Sequence, residues 1–222
     1  ETACPTPGLA LGGGFVPNIE LGREMDCEAE YDLDKGGWVL RVDESLETTT
    51  PGVYAAGEPT GIAGGRKALL EGEIAGLAIS SRLDAPLSPQ DQRRLTLLRR
   101  QRRHELRFGA FLHRLARIPA AGYRSIPGET TICRCEQVRL TEILDAVDLG
   151  FNTLQSVKKA TRCGMGRCQG RTCTPILQKI LEAHSDTPQE NQGTLSVRSP
   201  IKPIALQSLL EFEKPPGYTD PP

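Results

Sequence analysis

Apolar positions in the first third of the chain come in short runs separated by glycine, a pattern that predicts strands at Leu9–Leu11, Trp38–Val42 and Val53–Ala56. From Gly61 onward the period changes. Leu70, Ile74, Leu77 and Ala78 recur at i, i+4, i+7 and i+8, the apolar stripe of a helix. Ala68, Gly72 and Gly76 form a second, small-residue face on that helix. A glycine inside a helix costs about 1 kcal/mol relative to alanine, so two of them predict a close neighbour on that side. Residues 9–84 therefore read as part of an α/β layer, closed by the boundary "DAPLSP" at 84–89. An arginine-rich amphipathic helix is predicted over 90–117, with Leu95, Leu98, Leu106 and Leu112 facing inward and the arginines forming a solvated face. "RIPAAGYRSIPGE" follows as a linker. Further on, Thr141 is placed to cap a helix through Asp148, and Asn152 with Gln155 resembles a capping box for a second reaching Ala160. A third begins at Thr174, with Pro175 at the favoured first position. The proline- and polar-rich stretch from Ser185 to Pro222 predicts an extended arm. Four segments result: 1–84, 85–128, 129–184 and 185–222.

Composition narrows the class. The chain has 222 residues, 38% of them hydrophobic, enough for packed cores. No run approaches the roughly 20 apolar residues of a spanning helix, and the N-terminus lacks the basic and apolar regions of a signal peptide. A cytoplasmic protein without a membrane span is expected. With a net charge of −1 there is no global basic field for nucleic acid, and no such partner is expected. His104, His113 and His184 each stand alone, and no catalytic acid, base or nucleophile is identifiable.

Candidate chemistry lies in the cysteines. Of seven, Cys4 and Cys27 are isolated and read as free, partly buried thiols, while Cys133, Cys135, Cys163, Cys168 and Cys173 fall within 41 residues. In a reducing compartment such clustering reads as metal or redox chemistry rather than disulfides. In "TICRCEQV" the residues at i and i+2 of an extended segment face the same way, so Cys133 and Cys135 make half a site. "ATRCGMGRCQGRTCTPIL" supplies the other half, its glycines letting the backbone curl around the ligand. Structural zinc usually pairs its ligands as C-x2–4-C twice, which suits the one-residue gap and surplus cysteine poorly, yet zinc stays open beside a [2Fe–2S] cluster. Arg134, Arg162, Arg167 and Arg171 stand beside these cysteines as cations near a negative cluster, or as plain surface charges.

Cys-x-Cys, 32 intervening residues and Cys-x4-Cys, with "TRCGMGRCQGRTC" around the last pair, resemble the bacterioferritin-associated-ferredoxin-like [2Fe–2S] domain. More narrowly, they resemble the version at the C-terminus of FAD-dependent subunits of opine oxidase, hydrogen cyanide synthase and related sarcosine- and proline-oxidising complexes. The resemblance covers 129–184 and implies Cys133, Cys135, Cys168 and Cys173 as the cluster ligands, leaving Cys163 out.

"LALGGGFVPN" and "TTTPGVYAAGEPTGIAGG" are similar to the closing segments of the same flavoproteins. That likeness implies that Gly57 and Glu58 meet the ribityl and pyrophosphate region of FAD, that Gly64 and Gly65 open the helix approaching it, and that Gly72 and Gly76 serve close helix packing. Such subunits begin with a strand and a G-x-G-x-x-G motif that this chain lacks, so the resemblance covers roughly the family's C-terminal half, and FAD binding is expected to require the other half. The expected fold is thus α/β, a partial FAD/NAD(P)-binding domain, followed by a small all-α helical [2Fe–2S] domain. The expected function is the electron-transfer part of a flavin and iron–sulfur oxidoreductase that oxidises an opine, glycine, sarcosine or proline type of substrate. Expected partners are an electron acceptor and a substrate-oxidising flavoprotein subunit. A non-catalytic [2Fe–2S] adaptor and a zinc-stapled regulator are the alternatives.

Overall fold

In the computed structural model the described residues are 15–83, 86–185, 187–202 and 204–210. They fall into two compact units divided between Pro119 and Ala120. Cys4 and the strand expected at Leu9–Leu11 lie outside the described residues.

In the first unit a short helix, α1 (Glu20–Glu24), precedes an antiparallel hairpin of β1 (Ala29–Asp32) and β2 (Gly37–Leu40), with Ala29 opposite Leu40 and Asp32 opposite Gly37. Its turn ends at Gly36, whose φ of 98° suits glycine best. The strand predicted at Trp38–Val42 is therefore shifted and ends two residues early. Val53–Ala56 is not a strand, for only Tyr54 forms an isolated bridge, to Glu47. Among the described residues this unit has no parallel strand pair, so the expected α/β layer is represented by one hairpin and long helices.

The predicted helix after Gly61 is α2 (Gly64–Arg82), starting three residues late because Gly61 and Gly64 hold positive φ values of 121° and 85°. Its stripe works as expected at Leu70 and Ile74, which pack with Leu46, Ala75 and Leu98. The small-residue face does not. Gly72 and Gly76 are exposed, and a Cβ at either would meet nothing within 4 Å.

Helix α3 (Pro89–Leu115) is started by a capping box: the Asp91 N–H donates to the Ser88 hydroxyl at 3.1 Å and the Ser88 N–H to the Asp91 carboxylate at 3.2 Å. It packs along α2 through Leu98 and Gly109, where a Cβ would come within 2.6 Å of Ala63 Cβ. Leu112, expected inside, is 45% exposed. His113 takes the inward turn instead and donates from Nε2 to the Ile62 carbonyl at 2.8 Å, so it is not a solvated histidine.

The arginine face is only partly solvated. Arg102 Nε donates at 2.7 Å to Glu71, which is completely buried on α2, and Arg99 reaches the Glu44 carbonyl at 3.2 Å. Glu71 also accepts the Gly57 N–H and the Thr60 hydroxyl, each at 2.7 Å. Lys67, one turn earlier and equally buried, pairs with Glu71 at 2.8 Å and donates to the Gly57 and Gly61 carbonyls at 2.6 and 2.9 Å. Burial pulls the Lys67 ammonium below its usual pKa, and the neighbouring carboxylate works against that. This network ties the Gly57–Gly61 loop to both long helices.

The second unit begins with a 3-10 turn, Ala120–Ser125, which the sequence predicts as linker but which docks on a later helix through the Arg124 Nε bond to the Ala183 carbonyl at 2.7 Å. The unit is not all-α: β3 (Thr131–Cys133) and β4 (Val138–Arg139) form a small antiparallel ribbon. Helices α4 (Leu140–Asp148), α5 (Leu154–Thr161) and α6 (Thr174–His184) follow. The expected caps are displaced. Thr141 lies inside α4, which starts where the Arg139 N–H meets the Glu142 carboxylate at 2.8 Å, and the capping box of α5 is Thr153 with Ser156, not Asn152 with Gln155. Helix α6 begins at Thr174 as predicted, with Pro175 at its second position instead of its first.

The tail is more than an extended arm. It holds a 3-10 turn at Gln189–Asn191 and a short helix, α7 (Leu206–Leu210), and Gln192 is buried, donating to the Gln178 and Thr187 carbonyls at 3.0 and 2.9 Å. Among the described residues no helix is long and apolar enough to cross a membrane.

Breaking a buried ion pair from one side strands the other charge, so Glu71→Ala should cost roughly 3–5 kcal/mol. Arg100→Gln with Arg103→Gln should cost under about 1 kcal/mol, because these side chains are exposed. Urea unfolding followed by circular dichroism checks both; equal losses would mean that the network carries no special weight.

Candidate metal centre

The core of the second unit consists of twelve buried residues, and three of them are Cys133, Cys163 and Cys173. Their sulfurs all lie within 4.8 Å of one another. Ile132, Leu140, Ile143, Leu154, Val157, Leu177 and Ile180 surround them, so α4, α5 and α6 build one apolar shell with thiols at its heart.

Each thiol reaches this point for a local reason. Cys133 is the last residue of β3 and faces the core at 1% exposure, with Val138 as its cross-strand partner. Beyond it the chain turns tightly, with Gln137 at φ 57°, and this takes Cys135 out of the extended run. Cys133 is buried and Cys135 exposed, so the expected same-face pair is split between the inside and the rim. Cys135 packs on the second loop: any Cβ at Gly166 would collide with Cys135 Cβ, which explains glycine there without a positive φ. Cys173 immediately precedes α6, whose first N–H, that of Thr174, donates back to the Gly170 carbonyl at 2.8 Å and closes the loop under the thiol. Gly170, at φ 82°, brings the loop so near α6 and the tail that a Cβ would stand 2.6 Å from both Thr174 Oγ1 and Leu195 Cδ1.

The two halves of the site differ electrostatically. Burial works to raise the Cys168 pKa, but hydrogen bonds from the Thr172 and Gly170 N–H groups and from Cys135 outweigh it and hold the thiol below its ordinary value. Cys173 behaves oppositely. The hydrogen bond it shares with Cys163, reinforced by burial, pushes its pKa far up. Cys168 is thus biased toward thiolate and Cys173 toward the protonated thiol.

Among the neighbouring arginines, Arg171 donates to the Cys168 carbonyl at 3.1 Å and to the Ile201 carbonyl at 3.1 Å, and Arg162 pairs with Glu136 at 2.9 Å. Arg134 and Arg167 are exposed. A pocket of sulfur donors with backbone N–H groups and a cation around it fits a thiolate-bound [2Fe–2S] cluster by its donor chemistry.

Cys163 is the residue that sequence reasoning leaves out. The signal for it is the chain direction after α5: Arg162 takes the left-handed C-cap at φ 66° and Gly164 follows at φ 87°, which swings Cys163 inward. "RCG" at a helix end is the readable part of that signal.

The residues expected to meet FAD lie together in the first unit. Gly57 (φ 83°) and Glu58 sit on the loop before α2, and Gly64 and Gly65 form its first turn, with open space where a Cβ would be. Both backbone polar groups of Gly57 are already held, its N–H by Glu71 and its carbonyl by Lys67. The Glu58 carboxylate accepts the Asn18 N–H at 3.1 Å. Among the described residues no side chain caps α2.

The thiol-centred helical module is a BFD-like [2Fe-2S] binding domain, and the model of that family matches residues 131–183. Over nearly its whole length the chain is similar to one of the opine oxidase subunits of Rhizobium meliloti, 31% identical over 96% of this chain and 40% of the relative. It is likewise similar to the HcnB subunit of hydrogen cyanide synthase of Pseudomonas aeruginosa, 33% identical over 94% of this chain and 45% of the relative. This chain therefore spans less than half the length of these relatives. Its fold is similar to that of L-proline dehydrogenase from P. horikoshii, with a TM-score of 0.69 at 22% identity over 87% of this chain and 37% of that one.

Gly166→Ala should collapse the cysteine pocket without removing a thiol, cutting iron bound per chain by about tenfold while far-UV circular dichroism stays near the parent's, because site geometry and metal affinity are linked. Parent-like iron content would show that the close approach to Cys135 is dispensable.

Proposed function

We propose that this chain is the electron-transfer part of a flavin and iron–sulfur oxidoreductase, acting in the oxidation of an amine or amino-acid-type substrate. The observation that carries this reading is the convergence of cysteine sulfurs in the core of a BFD-like domain. Cys133, Cys135, Cys168 and Cys173 would hold the cluster, which when bound accepts and passes on one electron at a time. The chain's own residues exclude water with the α4–α6 shell, place donors at Cys168 and fix Arg171 beside it.

Gly57, Glu58, Gly64 and Gly65 would face FAD. With Gly57 tied inward by Lys67 and Glu71, contact falls to the Glu58 carboxylate and the first amides of α2. The relatives are named as subunits, and this reading implies two partners, an electron acceptor and a substrate-oxidising flavoprotein subunit.

Anaerobically purified chain should contain about two iron and two sulfide per molecule, and dithionite reduction should give the paramagnetic signal of one reduced [2Fe–2S] centre. Zinc in place of iron would sink the reading. FAD should be absent from the isolated chain after gel filtration, since no G-x-G-x-x-G segment holds its ADP half. Flavin retained one-to-one would contradict that.

A further inference from the structure

Four thiolates suffice for a [2Fe–2S] cluster, and this site holds five cysteines. Cys163 is fully buried, with its sulfur within 4.8 Å of those of Cys133 and Cys173. It also shares a hydrogen bond with Cys173. Its direction is fixed by structure on both sides: the Cys163 N–H donates to the Thr161 hydroxyl at 3.1 Å, Arg162 ends α5 in the left-handed region, and Gly164 turns the chain away. A residue that only filled space would be ringed by carbon; this one is aimed at two other thiols. The remaining two, Cys135 and Cys168, are the less buried pair and contact each other at the rim.

We propose that Cys163 is an alternative fourth ligand, able to complete the cluster's thiolate set when either rim cysteine, Cys135 or Cys168, is lost. The inference rests on the cluster reading above. In the exchange one iron–thiolate bond replaces another. The Cys163 thiol gives its proton to solvent, its sulfur binds the iron the rim thiolate has left, and the oxidation state of the irons is unchanged. The inner trio would then hold three of the four positions, with the surviving rim thiolate as the fourth. The arrangement makes the exposed half of the site, where oxidants arrive first, the replaceable half.

The test uses the full chain, reconstituted anaerobically with ferrous iron and sulfide, as the parent, Cys163→Ala, Cys135→Ala, Cys168→Ala and the two doubles that pair each rim change with Cys163→Ala. Cys163→Val is carried in parallel to hold core volume. Iron, sulfide and the electron paramagnetic resonance spectrum of the reduced protein are read for each. Cys163→Ala should load like the parent. Each rim single should keep at least about half of the parental iron with altered g values, and each double should fall to about a tenth or less, the loss expected when a small core cannot complete its metal site. Rim singles as empty as the doubles would overturn the proposal, as would doubles as full as the singles. Loss of the cluster in both Cys163→Ala and Cys163→Val would overturn it too, because Cys163 would then be a standing ligand. An iron-free parent would instead remove the cluster reading itself, which keeps the two failures distinct.

Discussion

Among the described residues, the hydrophobic core of the second unit and its thiols are one cluster. A quarter of its fully buried cluster is cysteine, and the three sulfurs lie where α4, α5, α6 and the β3–β4 ribbon meet. In so small a unit, ligand geometry and packing are one constraint: moving a sulfur moves a helix, and loosening Leu177 or Ile180 releases a sulfur.

In the first unit the corresponding constraint is ionic. Lys67 and Glu71 are a buried pair one turn apart on α2, and burying two charges is favourable only when their hydrogen-bonding capacity is met. It is met by the backbone of Gly57 and Gly61, by Thr60 and by Arg102 of α3. The loop that presents Glu58 is therefore held from beneath by three charges, while its upper surface and the amides at the start of α2 face outward. The position of the loop is therefore set from within the unit, by groups that are already paired.

How much of this is legible in the sequence varies with the kind of signal. Long periodic elements are readable: α2, α3 and α6 lie within a few residues of where the apolar stripe and Pro175 place them. Caps slip by one or two residues because Thr, Ser and Asn all satisfy the same rule and only the fold selects among them. β1 and β4 escape notice because strands of four and two residues are too short to show a period. The small-residue face of α2 suggests packing, yet Gly72 and Gly76 face open space among the described residues, and a glycine's reason is invisible without its neighbour. The thiol site is partly legible. Its residues stand out in the sequence, but whether Cys163 points in or out depends on a left-handed arginine, and a non-glycine residue in that region leaves almost no trace in sequence.

The split of the thiols into inner and rim sets follows from the same backbone detail. Had the chain stayed extended past Cys133, Cys135 would share its face and the site would be a symmetrical pair of pairs. The turn at Gln137 breaks that symmetry, and the collision any side chain at Gly166 would make shows how closely the second loop closes over the displaced Cys135. The result is a site with a buried interior and a more exposed edge, where Cys168 is biased toward thiolate by the N–H groups of Thr172 and Gly170. Electrons leaving such a centre would do so most easily through that edge, where Cys135 and Cys168 bring sulfur nearest to the surface and least protein intervenes. The rim is thus the part of the site most exposed to oxidation, and Cys163 lies on the protected side of the split, with Cys133 and Cys173.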